Sequence, residues 1–383
     1  MHPFRYELRE KRMRILFVVC GEGLGHSSRS TKLARYLQNQ GHTCYFAAYD
    51  KGYDFIKSQG FDVIETPREV TLEGTGGCFD LKKTVKSSAG IPVALGQSFF
   101  QIHKFIREKD IEFLIADTMF ACGVAAKSHK RLPVLFITNQ NKFGSAVTSG
   151  KDVYVWKTMS KVISTYHRYV PDLIAVPDFA EPYMISGYNF DPEDKARDKY
   201  IPVGPILDDR INDYTPTKET VFASFGGEPY KQPMYQMLRN IADIMPEEKF
   251  EIFSTSPGMP QNTANFTATG YVPNLFEPMA RAKVAIIHGG LTSLHEAIFY
   301  RKPVILIIDP YHPEQWNNGR KVEELGLGIM LRSDEITEEK LHLAISNALT
   351  MQPPDMRKLF EEYDGCKGCA QLIEHVYEKH RKP

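Results

Sequence analysis

The sequence has no excess of either charge: 47 lysines and arginines balance 47 aspartates and glutamates along 383 residues. No net field therefore draws the chain to nucleic acid, and we expect no nucleic-acid partner. The chain also lacks an apolar run that approaches the ~18 residues needed to cross a bilayer. Residues 1–12 are charged and have no hydrophobic centre, so we interpret them as a loose extension and not as a secretory signal.

Closely spaced cysteines are scarce as well. Of the six cysteines, only Cys366 and Cys369 lie near each other, and a single such pair is weak evidence for zinc or redox chemistry. We therefore predict no metal site and leave the role of this pair open. Scattered cysteines fit a reducing compartment, which predicts a cytoplasmic protein.

Strand-like and helix-like segments alternate along most of the chain. Residues 13–20 form a continuous apolar run, as in a central parallel strand, and a glycine turn and a helix-favouring segment follow. The same alternation starts again at residue 221, after a break at Gly204-Pro205. The pattern predicts an α/β fold made of two Rossmann-like domains.

We place four segments on this pattern. They are a loose extension at 1–12, an N-terminal Rossmann-like domain at 13–204, a C-terminal one at 205–365, and a C-terminal helix at 366–383 that packs back on the N-terminal domain.

A glycine turn at residues 288–290 joins an apolar run to a helix-favouring segment. Two glycines let the backbone approach a ligand, and Thr292 and Ser293 add hydroxyls in the first helical turn, so the turn suits an anion. Glu296 lies three residues beyond Ser293 on the same helix face. The alternative is an ordinary strand-to-helix turn with a hydroxyl cap.

The first glycine loop begins at Gly21 and Gly23, and Asp50 ends the next strand. This spacing would suit a dinucleotide if residue 26 were glycine, but residue 26 is histidine. At a helix N-terminus the dipole favours the neutral imidazole, as a general base requires. The alternative is that His26 is a capping or packing residue.

Polar groups also follow other predicted strands. Asp117 and the segment 139–141 stand at strand ends, where the site residues of open α/β sheets gather. The pair Gly226-Gly227 forms a second anion-type turn. Glu314-Gln315 offers both acceptors and donors, which suits a polyhydroxyl ligand such as a sugar, although a polar loop is the simpler interpretation.

Residues 151–169 interleave lysines and arginine with aromatic side chains. This composition could suit a phospholipid surface or a lipid-like ligand. An amphipathic helix with a solvated face is the alternative.

Together these motifs resemble a known family. His288 and Glu296 are separated by seven residues, Glu314-Gln315 follows the next strand, and the loop from Gly21 to His26 lies near the N-terminus. This order resembles the GT-B glycosyltransferases that use nucleotide-sugar donors, such as the peptidoglycan N-acetylglucosaminyltransferase, the diacylglycerol glucosyltransferases and the plant-type UDP-glycosyltransferases. The resemblance runs from Met13 to about Val376 and implies two Rossmann-like domains facing across a cleft.

The resemblance assigns roles to individual positions. On the donor side it implies diphosphate, ribose, sugar and base contacts from Gly226, Gly227, Tyr271, Val272, His288, Gly289, Gly290, Thr292, Ser293, Glu296, Glu314, Gln315 and Asn318. On the acceptor side it implies His26 as the base, Asp117 as its orienting group, and contacts from Gly23, Gly25, Asn139, Gln140 and Asn141. The last three match the end of a His-Glu-Gln-Asn segment of the family without its first two residues, which leaves the acceptor open.

The resemblance also implies a mechanism. Retaining GT-B enzymes carry a glutamate where His288 stands, so an inverting transfer is expected, with a UDP-sugar as donor and a lipid, glycan or small-molecule hydroxyl as acceptor. No Asp-x-Asp motif occurs, so we expect a metal-independent reaction in which the nucleotide-sugar is a substrate and there is no cofactor. Contact with the cytoplasmic membrane face would suit a lipid-linked acceptor. The alternatives are a nucleotide-sugar 2-epimerase or hydrolase, a dinucleotide-dependent oxidoreductase, and a non-catalytic sugar-nucleotide binder.

Overall fold

Two parallel β-sheets organise the chain. The computed structural model describes residues 12–22, 24–69, 74–75, 78–79, 81–87, 90–129, 131–144, 150–225, 232–254, 258–270, 272 and 274–381. The strands are β1 Arg14–Val19, β2 Thr43–Ala48, β3 Val63–Glu65, β4 Gly74–Thr75, β5 Cys78–Phe79, β6 Phe113–Asp117, β7 Val134–Ile137, β8 Leu173–Val176, β9 Tyr200–Pro202, β10 Thr220–Ser224, β11 Lys249–Phe253, β12 Phe266–Thr269, β13 Ala282–Ile287, β14 Val304–Ile308 and β15 Gly328–Arg332.

Helices separate most of these strands. They are α1 Gly25–Asn39, α2 Asp50–Ser58, α3 Leu81–Ser87, α4 Ile91–Glu108, α5 Ala121–Ser128, α6 Lys151–Tyr169, α7 Gln232–Ile244, α8 Phe276–Arg281, α9 Leu291–Phe299, α10 Pro313–Glu324, α11 Glu338–Thr350, α12 Arg357–Glu362 and α13 Gly365–Arg381. No helix within the described ranges is both long and apolar enough to span a bilayer.

The two sheets share a strand order over six strands, and the first sheet adds a seventh strand, β9, at one edge. The first runs β3-β2-β1-β6-β7-β8-β9 and the second runs β12-β11-β10-β13-β14-β15. Both are doubly wound, which means that the chain adds strands first on one side of the starting strand and then on the other. The direction changes between β1 and β6 in the first sheet and between β10 and β13 in the second. Ligands of such sheets bind beyond the carboxyl ends of the strands at that switch point. The α/β fold with two Rossmann-like halves is therefore confirmed, and it offers two switch points, β1/β6 and β10/β13.

Two segments cross between the halves. The chain from residue 177 to 199, between β8 and β9, sends Phe179 and Ile185 fully buried into the core of the second sheet. In return, α13 places Leu372 and Ile373 in the core beneath β1 of the first sheet. Each half thus buries apolar side chains of a segment that leaves the other half.

Cys366 and Cys369 belong to the buried face of α13. Both thiols lie in the core of the first half, and burial raises their pKa values above the ordinary range of a thiol. A protonated, buried thiol is a poor nucleophile and a poor metal ligand. The pair therefore acts in packing.

Helix α6 buries some of its interleaved aromatic and basic residues and exposes the others. Trp156 and His167 are buried, and Trp156 stacks on Phe143 with ring centroids 5.8 Å apart. Lys157 and Lys161 are exposed. Part of the pattern seen in the sequence is thus ordinary core packing.

The buried His167 couples stability to pH. Its Nδ1 lies 2.9 Å from the Tyr200 hydroxyl, and among the described residues no partner reaches its Nε2. Burial lowers the pKa of His167 from 6.5 to about 4. Because the folded pKa lies below the unfolded one, the unfolded chain binds more protons between these values, and stability is lost as the pH falls through that window.

We predict that the free energy of unfolding falls by about 2 kcal/mol more between pH 7 and pH 5 in the wild type than in His167→Phe, which removes the titrating ring. Urea unfolding at the two pH values measures the difference. His342→Phe makes the same change at a half-buried position on α11 and serves as the control, and the effect of His167→Phe on the slope should exceed its effect. An equal slope in His167→Phe contradicts the assignment.

Candidate active site

The first switch point brings His26 and Asp117 together. Asp117 is the last residue of β6, and in the sheet it pairs with Val19 at the end of β1. His26 lies in the first turn of α1, which follows β1 after a short loop. Its Nδ1 is 2.7 Å from Asp117 Oδ1, while the imidazole keeps about a quarter of its surface exposed. A side chain with one end fixed and the other accessible suits proton transfer.

Arg29 completes this group and was not predicted from the sequence. Its Nε donates to Asp117 Oδ2 at 2.7 Å, and a terminal guanidinium nitrogen donates to Oδ1. The Ser30 hydroxyl donates to Oδ2 at 2.9 Å. Arg29 and Ser30 lie three and four residues beyond His26, on the same face of α1, so helical spacing alone could have indicated that all three meet one carboxylate.

The charge of Asp117 decides which imidazole nitrogen carries the proton. Burial alone would raise the pKa of Asp117, but the Arg29 guanidinium and His26 hold it well below the ordinary range. An ionised carboxylate only accepts, so a contact of 2.7 Å requires that His26 Nδ1 donates to it. A terminal nitrogen of Arg29 also lies 3.0 Å from His26 Nδ1. Because both nitrogens are donors in this tautomer, they make no hydrogen bond with each other. Nε2 is left as the acceptor.

The second switch point carries the glycine turn between β13 and α9. Gly289 has φ +79°, a left-handed conformation that favours glycine. A Cβ at Gly290 would lie 2.7 Å from His288 Nε2, so the imidazole occupies the space that a side chain would need. Backbone conformation therefore favours glycine at Gly289, whereas a side chain at Gly290 would require the His288 ring to move.

The N-termini of α1 and α9 face each other across the two halves. A Cβ at Gly25 would lie 3.8 Å from the Thr292 hydroxyl. Neither helix has a side-chain cap or an acidic residue in its first turn. Two uncapped N-termini, with Thr292 and Ser293 half-buried beside them, concentrate donors and positive dipole ends at one place.

Glu296 is tied to the opposite half. The Lys32 ammonium of α1 lies 3.3 Å from Glu296 Oε1, and both side chains are about nine-tenths buried. The Lys32 ammonium also lies 5.6 Å from the centre of the Phe276 ring. The carboxylate therefore lies where α1 and α9 meet, with a cation already beside it.

Glu314 and Asn139 also meet across the halves. Asn139 follows β7, and its amide nitrogen donates to Glu314 Oε1 at 2.7 Å. Gln315 is buried, and its side-chain oxygen accepts the backbone N–H of Asp309. This bond holds the turn between β14 and α10. Among the described residues no donor reaches the buried Gln140 Oε1.

Two predicted contact residues have their side chains occupied by other groups of the protein. Asn141 donates to Asp194 at 2.6 Å and to the Tyr200 hydroxyl at 3.0 Å, and its carbonyl oxygen accepts the Asp191 N–H. Asn318 donates to the Gly289 carbonyl at 3.0 Å. These amides fix loops of the site, and their side chains are not available to a ligand in this arrangement.

Four predicted positions lie outside the described residues: Gly23, Gly226, Gly227 and Tyr271. Val272 is described, and it packs half-buried against the core of the second half.

The dinucleotide interpretation of the first loop loses support. A side chain at Gly21 would collide with the Tyr49 carbonyl, so this glycine serves close packing of the loop. Asp50, the residue expected to bind a ribose, is paired with Arg68, whose Nε lies 2.7 Å from its Oδ2. Its carboxylate thus has a cationic partner on the surface.

Comparison with known proteins identifies the family of the chain. The family model of glycosyl transferase family 1 matches residues 13–348. An uncharacterized glycosyltransferase of Methanosarcina acetivorans is 27% identical over 379 residues, which cover 94% of this chain and 98% of that one. The NDP-glycosyltransferase YjiC of Bacillus subtilis is 34% identical over 125 residues, 31% of each chain.

A solved structure shares the whole architecture. The crystal structure of the glycotransferase of kitacinnamycin superposes with a TM-score of 0.71 at 16% identity, covering 96% of this chain and 100% of that one. At this identity the likeness shows the fold, which is the expected GT-B arrangement of two Rossmann-like domains facing across a cleft. Because the family model spans most of the sequence, the chain belongs to glycosyl transferase family 1 and is a glycosyltransferase.

Proposed function

We propose that the protein is an inverting glycosyltransferase that moves a sugar from a UDP-sugar to an acceptor hydroxyl, without a metal and with His26 as the general base. The observation that carries the proposal is the His26–Asp117 pair, in which His26 lies in the first turn of α1, close to the facing N-termini of α1 and α9. The His26–Asp117 pair can take a proton, and the two helix N-termini can hold a leaving anion.

The donor half of the proposal concerns the turn at 288–290 and α9. The uncapped amides of α9, with the Thr292 and Ser293 hydroxyls, would hold the diphosphate. The name of the Bacillus subtilis relative, an NDP-glycosyltransferase, supports a nucleotide-sugar donor. Glu296 would bind the ribose hydroxyls, and it would then share its carboxylate with Lys32 or release it. Glu314 and Gln315 would lie near the sugar.

The reaction would be a single displacement. His26 Nε2 removes the proton of the acceptor hydroxyl while the acceptor oxygen bonds to the anomeric carbon. The bond from that carbon to the diphosphate oxygen breaks, and its electron pair leaves with the nucleoside diphosphate. Asp117 keeps Nδ1 protonated and stabilises the imidazolium that forms. The helix N-termini stabilise the negative charge that develops on the leaving group.

An epimerase or hydrolase would share the donor half but needs no acceptor. Gln140 Oε1, which is buried in the same half as His26 and has no donor among the described residues, favours an acceptor that brings a hydroxyl donor. Consumption of UDP-sugar that does not respond to any added hydroxyl compound would favour these alternatives.

The proposal predicts that His26→Ala lowers kcat by about 10²–10⁴-fold and leaves the donor KM within a few-fold, because proton transfer is lost while the diphosphate site remains. Release of UDP under saturating donor and acceptor measures kcat. His103→Ala, on α4 in the same domain, is the control and should keep wild-type turnover. Undiminished turnover in His26→Ala removes the base assignment.

A double-variant cycle tests the buried charge group. Arg29→Met leaves the Asp117 carboxylate buried with one cation fewer, so we predict a loss of about 3–5 kcal/mol in the free energy of unfolding. Arg29→Met combined with Asp117→Asn removes both charges and should recover most of that stability, yet remain inactive because His26 loses its orienting carboxylate. Equal destabilisation in the single and double variants, measured by urea unfolding, contradicts the charge argument.

We also propose a lipid-linked acceptor reached from the cytoplasmic membrane face. On α6, Lys157 and Lys161 lie along one edge of the exposed face, and the exposed Val162 and Tyr169 lie along the other. Basic residues beside apolar ones, along one helix face, match the pattern of helices that lie on anionic membranes.

For this contact we predict that the protein cosediments with vesicles of phosphatidylcholine and phosphatidylglycerol, but not with vesicles of phosphatidylcholine alone. The binding to the mixed vesicles should weaken at high salt. Lys157→Gln with Lys161→Gln should weaken the binding at least about tenfold. Lys358→Gln with Lys367→Gln makes the same charge change at exposed positions on α12 and α13 and should have no such effect. Equal effects of the two pairs would contradict a surface on α6.

A further inference from the structure

A chain of buried amides connects the two halves behind the glycine turn. Asn189 ends a short turn in the segment that crosses from the first half, and its side chain is fully buried. Its amide nitrogen donates to Asn318 Oδ1 at 3.0 Å, and the Asn318 amide donates to the Gly289 carbonyl at 3.0 Å. On the other side, the Asn317 amide donates to Asn189 Oδ1 at 3.0 Å.

The direction of every amide in this chain follows from one fixed acceptor. The Gly289 carbonyl can only accept, so Asn318 must present its nitrogen there and its oxygen to Asn189. Asn189 must then present its nitrogen to Asn318 and its oxygen to Asn317. The Asn317 nitrogen also lies 3.4 Å from the Tyr188 carbonyl. That carbonyl can only accept, so it requires the same orientation of the Asn317 amide. No flipped amide fits without placing two acceptors together.

Asn189 also holds the acceptor-side loop. Its backbone carbonyl accepts the N–H groups of Asn141 and Lys142, both at 3.0 Å. These residues belong to the segment that follows β7 and carries Asn139 and Gln140. One residue therefore bonds to the loop of the first half with its backbone and to the glycine turn of the second half, through Asn318, with its side chain.

The segment that carries Asn189 is itself held firmly. Asp178 accepts from the Ser186 hydroxyl and N–H at 2.7 Å, and its other oxygen lies 3.1 Å from His295 Nε2 on α9. Asp178 and His295 are both buried. A tethered segment gives Asn189 a fixed position against α9 and α10.

The bond to the Gly289 carbonyl sets the direction of the next amide. In a trans peptide the C=O of Gly289 and the N–H of Gly290 point to opposite sides. Fixing the carbonyl toward Asn318 thus fixes the Gly290 N–H away from α10. We propose that Asn189 is a positioning residue that aims the Gly290 amide at the donor diphosphate and joins this turn to the acceptor-side loop. This inference rests on the proposed function.

The direct test measures UDP binding by calorimetry to the full chain. Asn189→Asp keeps the shape and the bond from Asn317, but it sets an oxygen against Asn318 Oδ1, so Asn318 must turn and release Gly289. UDP binding should weaken about tenfold. Asn317→Ala removes another buried amide, at the other end of the chain, and leaves Asn189, Asn318 and Gly289 connected. It is the matched control and should bind UDP like the wild type.

A second measurement needs no variant. Hydrogen exchange of the wild type with and without UDP should show slower exchange both at 288–290 and at 139–142, because Asn189 joins the two segments. If UDP slows exchange at 288–290 alone, the proposal that Asn189 connects the two segments is wrong.

The outcomes separate the two proposals. Wild-type protein that binds none of UDP, GDP and TDP overturns the proposed function and the positioning role with it. Wild-type protein that binds UDP, together with Asn189→Asp that binds it equally well, overturns the positioning role alone. A defect of the same size in Asn317→Ala also overturns it, since that result reports only the loss of a buried hydrogen bond.

Discussion

A buried carboxylate needs compensation, and the proposed active site is built around that constraint. Asp117 is fully buried at the end of β6, where an uncompensated charge would be very costly. Arg29 donates to both of its oxygens, Ser30 adds a bond to Oδ2, and His26 adds one to Oδ1. The same interactions that make the charge tolerable therefore fix the imidazole, its tautomer and its exposed nitrogen. Orientation of the His26 ring is a consequence of how the carboxylate is buried.

The junction between the halves has two kinds of contact. Deep in the molecule the junction is hydrophobic, because it contains Phe179 and Ile185 of the crossing segment and the apolar face of α13. Nearer the site it is polar, with the pairs Lys32–Glu296 and Asn139–Glu314 and the amides around Asn189. Ion pairs and amides exchange partners more readily than packed apolar cores separate. The contacts between the halves are therefore more exchangeable at the site than in the apolar part of the junction.

Much of the fold could be predicted from the sequence because its central strands are continuous apolar runs. The edge strands β12 and β15 escaped prediction, since each is short and mostly half-exposed or exposed and so lacks a clear apolar pattern. The glycine turn and His26 were identified by spacing. Asn189 carries no such signal, because its role depends on partners about 130 residues away, and the occupied amides of Asn141 and Asn318 became visible only when their neighbours were placed.

The central claim is a single displacement with His26 as the base, and the anomeric configuration of the sugar tests it most directly. Proton NMR of the first turnovers, with an acceptor or with water in its place, resolves the anomeric proton before the released sugar equilibrates. The account predicts that the product has the configuration opposite to that of the donor. A product that retains the donor configuration would contradict it.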